Sequence, residues 1–243
     1  MDREEDEIRL DIPIDAPPWL VNREPQYVHP TLSDDELIEQ LRREADGDLL
    51  DELAVLTPSE RAARHECVAD GVRRYSGVLR DAAGREFFSN ACGAMPPFLE
   101  IARRFDDAGV AAIVIGDVAE MLHGSDGVTQ AIAFCSPLTA DGRGRILAAL
   151  DGLRVRAAET NGSPEWPGYE RLRIRTDIGR VDVVDGLPGV GSYERVRRRT
   201  VLARVEGVML RVLDLDTLIE TKRATGRLCD SMKVDYLESL TRG

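Results

Sequence analysis

One segment constrains the fold more than any other part of the chain: Ile113 to Ser136, with the sequence IVIGDVAEMLHGSDGVTQAIAFCS. It begins with an apolar run that ends at Gly116, continues with a short helical pattern closed by Gly124, and ends with a second apolar run at residues 131–135. This order predicts a strand, a tight turn, a short helix and a second strand. A glycine turn beside the ends of two strands is where α/β sheets usually bind ligands.

The same segment resembles the nucleotidyltransferase superfamily, in the branch that includes the abortive-infection type toxins of toxin–antitoxin systems. That branch reads approximately Gly-Gly-x-Ala-x-x-x-His-Gly-x-x-Arg-x-Thr-x-Asp-x-Asp. Five positions agree with it, namely Gly116, Ala119, His123, Gly124 and Thr129. Four positions depart from it: the second glycine, the arginine and the two aspartates are here Asp117, Gly127, Ala131 and Ala133. The resemblance extends over residues 96–239.

The departures at Ala131 and Ala133 decide what the resemblance implies about activity. In the family, two aspartates at alternate positions of one strand hold two magnesium ions, which bind the nucleotide phosphates and activate the attacking hydroxyl. A methyl group cannot bind magnesium. The position of the family's third carboxylate resembles Asp182, and one carboxylate alone is a poor two-metal site. The resemblance therefore implies a nucleotidyltransferase scaffold without its metal-binding pair, and we expect no bound metal in this chain.

The resemblance also implies positions that face a nucleotide. The family has a helix ending in lysine, then Gly-Arg, then an aspartate on the next helix, and the matching residues are Lys222, Gly226, Arg227 and Asp230. The nucleotide-binding positions implied in this way are Gly116, His123, Thr129, Lys222, Arg227 and Asp230. Because Arg227 and Asp230 are three residues apart, they could instead pair with each other at the start of a helix.

Charge is distributed unequally along the chain. Residues 1–60 carry 18 acidic side chains against 5 arginines, a net charge of -13, whereas residues 61–243 carry a net charge of +1. The first 32 residues also contain too many prolines for a helix or a central strand. We predict an acidic, proline-rich arm (1–32), a helical extension (33–95) and a nucleotidyltransferase-like domain (96–243). On composition alone the arm is a solvated tail, and the alternative is a segment that binds a partner or inhibits the domain.

Capping signals and periodicity predict the individual elements. Ser33 and Thr57 each open a helix, with a glutamate three residues later, and the second helix extends to about Leu79. We expect residues 161–168 to form a loop, and residues 139–150 to form a helix whose inner face holds Ile146, Leu147 and Leu150. The predicted fold class is α/β, a mixed sheet flanked by helices, with strands at 110–115, 128–135, 153–157, 169–176 and 180–184.

Arginines form two groups in the second half of the chain. Three of them alternate along one predicted strand, Arg171, Arg173 and Arg175, and such a pattern is typical of a solvent-exposed sheet face with acidic cross-strand neighbours. The alternative is a surface that binds RNA or a triphosphate, together with Arg195, Arg197, Arg198, Arg199 and Arg204. The net charge of -12 argues against indiscriminate binding of nucleic acid.

Two functions of different classes follow from the resemblance. The first is a catalytically impaired nucleotidyltransferase-fold protein, a pseudoenzyme that binds a nucleotide, an RNA or an antitoxin-like protein partner without a cofactor. The second is an active nucleotidyl or phosphoryl transferase, the toxin of a toxin–antitoxin system, that uses Mg²⁺ and a nucleoside triphosphate. It would recruit the metal through Asp182 with Asp117, Asp126 or Asp185. We favour the first, because the changes at positions 117 and 127 indicate a relaxed site.

The sequence also bears on the cellular location. No apolar run approaches the ~20 residues that a membrane-spanning helix needs. The N-terminus MDREEDEIRLD is acidic where a signal peptide is basic. We therefore expect a cytoplasmic protein that does not bind membranes.

Overall fold

The structure, a computed structural model, describes residues 33, 36, 57–81, 86–87, 95–125, 131–155, 157–163 and 166–241. The chain forms two units, Met1–Arg43 and Glu44–Gly243, and every element named below belongs to the second. The acidic arm predicted at residues 1–32 lies outside the described residues, as do Asp126, Gly127 and Thr129. The domain boundaries expected after residues 32 and 95 remain predictions.

Helices and strands are interspersed along the described residues. The helices are α1 (Pro58–Tyr75), α2 (Val78–Asp81), α3 (Pro97–Asp107), α4 (Gly116–His123), α5 (Ala140–Ala149), α6 (Tyr193–Val196), α7 (Leu215–Thr225) and α8 (Leu228–Thr241). The strands are β1 (Glu86–Phe87), β2 (Ile113–Ile115), β3 (Ala131–Cys135), β4 (Ala157–Ser163), β5 (Trp166–Arg175), β6 (Arg180–Val184), β7 (Gly186–Leu187), β8 (Gly191–Ser192), β9 (Thr200–Val205) and β10 (Val208–Leu213).

Eight of these strands form one mixed sheet in the order β1-β9-β10-β2-β3-β6-β5-β4, and β7 pairs with β8. The pairs β1–β9, β10–β2 and β3–β6 are parallel, and the other neighbours are antiparallel. Alternate residues of the central strands fill one face, where Phe134 of β3 packs on Phe105 of α3 with ring centroids 4.9 Å apart. The predicted fold class, an α/β mixed sheet flanked by helices, is confirmed.

Helix starts agree with the capping signals. The Thr57 side chain accepts from the backbone N–H of Glu60, and the Glu60 carboxylate accepts from the backbone N–H of Thr57 at 2.8 Å. Ser33 and Glu36 make the same reciprocal contacts, at 2.9 and 3.4 Å. Both capping boxes are therefore confirmed, because the contacts that form them lie within a single helical turn.

Helix α1 ends at Tyr75, before the predicted end at about Leu79. Gly77 has a φ of 77°, which breaks the helix before α2 begins. Its N–H donates to the carbonyl oxygen of Met121 at 3.0 Å and so ties this turn to α4. Tyr75 itself is buried in the same apolar core as α3 and the sheet.

Four further predictions about local structure are wrong. Residues 110–112 and 153–155, expected in strands, belong to none, and residues 161–163 and 166–168, expected in a loop, belong to the β4–β5 hairpin. The polar Asn-Gly-Ser run is typical of a turn, but cross-strand pairing extends through it with a bulge at Gly162/Ser163. Leu147 is 40% exposed, since the inner face of α5 is set by Ile146 and Leu150, four residues apart. None of the described helices has the length and apolar character needed to cross a membrane.

Candidate functional site

The positions that the resemblance assigns to metal binding lie on one face of the sheet. Strands β3 and β6 pair with Ala131 in register with Arg180 and Ala133 in register with Asp182. Residues in register on neighbouring strands point to the same face, and Ala131, Ala133 and Asp182 are all half-buried. Gly116, the first residue of α4, adjoins them, since a Cβ on it would lie 3.5 Å from that of Ala133.

Asp182 is held by two arginines. Arg173 of β5 is its register partner on the other side, and the Arg173 Nε–H donates to Asp182 Oδ1 at 3.0 Å. The Nε of Arg180 lies 3.1 Å from Asp182 Oδ2 in a second ion pair. Arg173 and Arg180 are only 6% and 5% exposed. We call these three residues the Asp182 cluster, which carries one negative and two positive charges.

The Asp182 cluster does not fit a divalent metal ion. Magnesium takes several oxygen ligands, whereas the two alanines present methyl groups and each carboxylate oxygen of Asp182 faces a guanidinium group. Two buried positive charges also repel any further cation at short range. Within the described residues, no group of three or more His, Cys, Asp or Glu side chains could hold a metal ion.

The arginines of β5 differ from the sequence-based prediction in their exposure. Arg173 is buried, and Arg171 and Arg175 are half-buried, so the expectation of a solvent-exposed face is wrong. The expected acidic cross-strand neighbour is present, because Asp182 pairs with Arg173. Buried charges in proteins are usually paired, and Asp182 forms ion pairs with both Arg173 and Arg180.

A second group of charges connects α4, α7 and α8. Lys222 Nζ lies 2.6 Å from Glu120 Oε1 and 3.0 Å from Asp230 Oδ1, and all three side chains are buried. Lys233 Nζ lies 2.8 Å from Asp117 Oδ1 and 3.7 Å from Glu120 Oε2. Burial opposes the charge of Lys222, but the adjacent carboxylates, Glu120 foremost, hold the pKa of Lys222 above its usual value. Burial raises the pKa of Glu120, and the Asp117 carboxylate adds to this.

These contacts bring together Lys222 and Asp230, two of the predicted nucleotide-binding residues. Both side chains form ion pairs with other residues of the protein. The charge of Lys222 is balanced by two carboxylates, and Asp230 Oδ2 also accepts from the Thr225 hydroxyl at 2.7 Å. Arg227 Nε lies 4.0 Å from Asp230 Oδ2, which is the local pair that their spacing allows. The role of these residues toward a nucleotide remains a prediction.

His123 connects α4 to the end of β10. It is 8% exposed, and its Nε2 lies 2.8 Å from the carbonyl oxygen of Leu213. Burial lowers the pKa of His123, which favours the neutral ring with its proton on Nε2, where it donates to that carbonyl. Gly116 begins the same helix with a φ of 62°, a conformation that favours glycine. The tautomer and the backbone angle are both explained by packing.

Sequence reasoning missed the two partners that define the site, Arg180 beside Asp182 and Glu120 beside Lys222. The Arg-x-Arg-x-Arg pattern of β5 and the Arg-x-Asp pattern of β6 were visible signals. Only the strand register shows that Arg173 faces Asp182, so the pairing could not be derived from spacing alone.

A run of exposed arginines begins in α6 and continues beyond its end. Arg195, Arg197, Arg198 and Arg199 are exposed, and Arg199 forms an ion pair with Glu220. Arg204 is also exposed and donates to the carbonyl oxygen of Gly207 at 3.2 Å. We call the remaining three, Arg195, Arg197 and Arg198, the basic turn. Among the described residues, no carboxylate forms an ion pair with any of these three arginines.

No family model and no curated protein matches this chain. Among solved structures, similarity is found to a protein from H. pylori provisionally named a nucleotidyltransferase, at 14% identity over 52% of this chain and 54% of that chain, with a TM-score of 0.35. JHP933 from Helicobacter pylori aligns at 13% identity over 59% and 63%, with a TM-score of 0.39. A Thermotoga maritima protein, also provisionally named a nucleotidyltransferase, aligns at 16% identity over 59% and 89%, with a TM-score of 0.39.

The matched region spans less than two thirds of the length of the two Helicobacter proteins. Strand order and register, rather than these alignments, identify the fold class of this chain.

Proposed function

We propose that this chain is a nucleotidyltransferase-like protein that has lost metal-dependent catalysis and binds a nucleotide or RNA without a divalent cation. The observation that carries the proposal is the pairing of both Asp182 oxygens with buried arginines, next to Ala133. In a two-metal enzyme, carboxylates hold the cations that neutralise phosphate charge. Here the remaining carboxylate is paired with two guanidinium groups of the protein itself.

The basic turn supplies the surface for the anionic ligand. Its three guanidinium groups are exposed, so they can bind phosphate oxygens without first breaking an ion pair. Each phosphate contact by an arginine displaces condensed counterions, so affinity for RNA should fall as the salt concentration rises. Three such contacts give modest affinity, which is compatible with the acidic net charge of the whole chain.

The alternative, an active metal-dependent transferase acting as a toxin, has no comparable support. Its metal would need Asp182 together with Asp117, Asp126 or Asp185, of which Asp126 lies outside the described residues. Asp117 forms an ion pair with Lys233 at 2.8 Å, and the Asp185 carboxylate accepts from the backbone N–H of Glu170 at 2.9 Å. A protein partner in place of the nucleotide is an outcome of the test below.

The test measures binding of each nucleoside triphosphate by calorimetry, and of a labelled single-stranded RNA by fluorescence anisotropy, with magnesium and with EDTA. We expect equal affinity in the two conditions. Replacing the three arginines of the basic turn with alanine should remove binding. A control variant loses three other exposed arginines and so has the same net charge, with the changes Arg103→Ala, Arg145→Ala and Arg154→Ala.

Three results would contradict the proposal. Binding that requires magnesium, or transfer of a labelled nucleotidyl group to any acceptor, would favour the active enzyme. An equal loss of binding in the control variant would show that overall charge, and not the basic turn, attracts the ligand. Absence of any nucleotide or RNA binding would leave a protein partner as the ligand of this fold.

A further inference from the structure

A cavity of about 450 Å³ lies where β2 and β10 separate. The two strands pair only at Val114 and Val212, and the residues just before these positions, 110–112 and 209–211, line the cavity. Its apolar wall also includes Phe105 of α3 and Phe134 of β3. Phe134 and Ala133 are adjacent in β3 and point to opposite faces of the sheet, so the cavity is separate from the Asp182 cluster.

One side of the cavity is formed by a tyrosine whose hydroxyl is available as a donor. Tyr193 lines the cavity and is 8% exposed as a whole residue, and within the described residues its hydroxyl makes no hydrogen bond. A phenolic hydroxyl both donates and accepts, so it can bind a polar group of a ligand. Burial raises the pKa of Tyr193, whereas the guanidinium groups of Arg197 and Arg211, both also lining the cavity, act to lower it. The hydroxyl and two positive charges therefore lie near one another.

The charges at the cavity are not all positive. The carboxylates of Asp106 and Glu194 also line it, and both residues are exposed. Arg211 is half-buried, and its Nη1 donates to the Thr200 hydroxyl at 3.2 Å, which holds the guanidinium group in place. Tyr193 and Arg211 thus form the less exposed part of the lining, while Arg197 and the two acidic residues are exposed.

We propose that this cavity binds a small aromatic anion, with its ring between Phe105, Phe134 and Leu210 and its anionic group at Tyr193, Arg197 and Arg211. The volume is in the range of small-molecule sites, which combine an apolar lining with a few convergent polar groups. An anion would accept from the Tyr193 hydroxyl and pair with the arginines. A carboxylate and a phosphate monoester share this chemistry. The site shares Arg197 with the basic turn, whereas Tyr193 and Arg211 belong to the cavity alone.

The experiment titrates the protein with 1-naphthoate, with 1-naphthyl phosphate and with neutral 1-naphthol, by calorimetry at neutral pH. Both anions should bind with one-to-one stoichiometry, and the neutral analogue should bind at least about tenfold more weakly, because the charged hydrogen bonds are lost. The anion that binds with the higher affinity identifies the preferred head group. Tyr193→Phe, which removes only the hydroxyl, should weaken the anions roughly tenfold and leave 1-naphthol unchanged.

Matched variants separate this site from general electrostatic attraction. Arg211→Gln should weaken the anions, whereas Arg154→Gln, which removes an exposed charge elsewhere, should not. The double change Asp106→Asn and Glu194→Gln should tighten anion binding, because it removes repulsion. Ala111→Phe, at an exposed position of the lining, should block all three probes by filling the cavity. Circular dichroism melting checks that each variant is folded.

Several outcomes would overturn the proposal. They are the absence of saturable binding, equal affinity for 1-naphthol, or an Arg154→Gln effect as large as that of Arg211→Gln. Weaker binding after the double change at Asp106 and Glu194 would show that the cavity takes a cationic ligand instead. The Tyr193→Phe and Arg211→Gln variants should bind the naphthyl anions more weakly and still bind RNA normally, because neither residue belongs to the basic turn.

Discussion

Placing aspartates at positions 131 and 133 is the perturbation for which sequence and structure predict different results. From the sequence alone, Ala131→Asp with Ala133→Asp would complete a three-carboxylate site with Asp182 and create magnesium or manganese binding. The structure predicts little metal binding. An aspartate at position 131 would be in register with Arg180, and one at 133 would adjoin the Asp182 cluster. Residues in register have Cβ atoms roughly 4.5–5.5 Å apart, within reach of an arginine side chain.

The magnitude follows from the ion pairs that a metal would have to displace. The cluster would hold three carboxylates and two guanidinium groups, and separating a buried pair costs roughly 3–5 kcal/mol. Since about 1.4 kcal/mol corresponds to a factor of ten, metal affinity should be reduced roughly a hundredfold to several thousandfold relative to a site with free carboxylates. The double variant should therefore titrate with Mn²⁺, followed by electron paramagnetic resonance, almost as weakly as the unmodified protein.

A fourfold variant tests the reason for that weakness. Adding Arg173→Met and Arg180→Met to the two aspartates keeps the volume of the buried side chains similar and leaves three carboxylates without arginines. This variant should bind Mn²⁺ tightly, and the metal should raise its melting temperature, because a ligand that binds only the folded state stabilises it. Tight Mn²⁺ binding by the double variant would refute the blocking role of the arginines. A folded fourfold variant without Mn²⁺ binding would refute the convergence of the three positions.

Three further predictions concern stability and the N-terminal arm. Asp182→Asn should lower the free energy of unfolding, measured in urea titrations, by roughly 3–5 kcal/mol, because it removes the Asp182 charge that pairs with two buried guanidinium groups. The exposed control Asp141→Asn should change the free energy of unfolding by less than about 0.5 kcal/mol. The pKa of His123 is lower in the folded protein than the usual value. Its contribution to stability is therefore present above about pH 6.5 and is lost as the pH falls through that value towards the folded-state pKa. His123→Gln, which keeps a donor to the Leu213 carbonyl, should flatten this part of the profile of stability against pH, and an unchanged profile would assign it to other groups. Deleting residues 1–32 should raise RNA affinity most at low salt if the arm competes for the basic turn, and unchanged affinity would favour a solvated tail.

Local signals determined much of the secondary structure. The two capping boxes at Ser33 and Thr57 and the glycine stop at Gly124 were predicted correctly, because each depends on residues within one or two turns. Strand β6 was predicted with its observed bounds. The β9–β10 hairpin was not predicted, since arginines interrupt its apolar alternation and hide the period of a strand.

The properties of the candidate site depend on both the sequence and the tertiary structure. The sequence by itself determined that Ala131 and Ala133 lack metal-binding groups, because the identity of a side chain limits its chemistry wherever it lies. Only the tertiary structure decided the state of Asp182 and Lys222. Asp182 acquires Arg173 through the register of β5 with β6, and Lys222 acquires Glu120 through the packing of helices distant in sequence. The same charged side chain can lie on a solvated surface or in a buried ion pair. Its neighbours in space, which the sequence does not show, decide in which of these environments it lies.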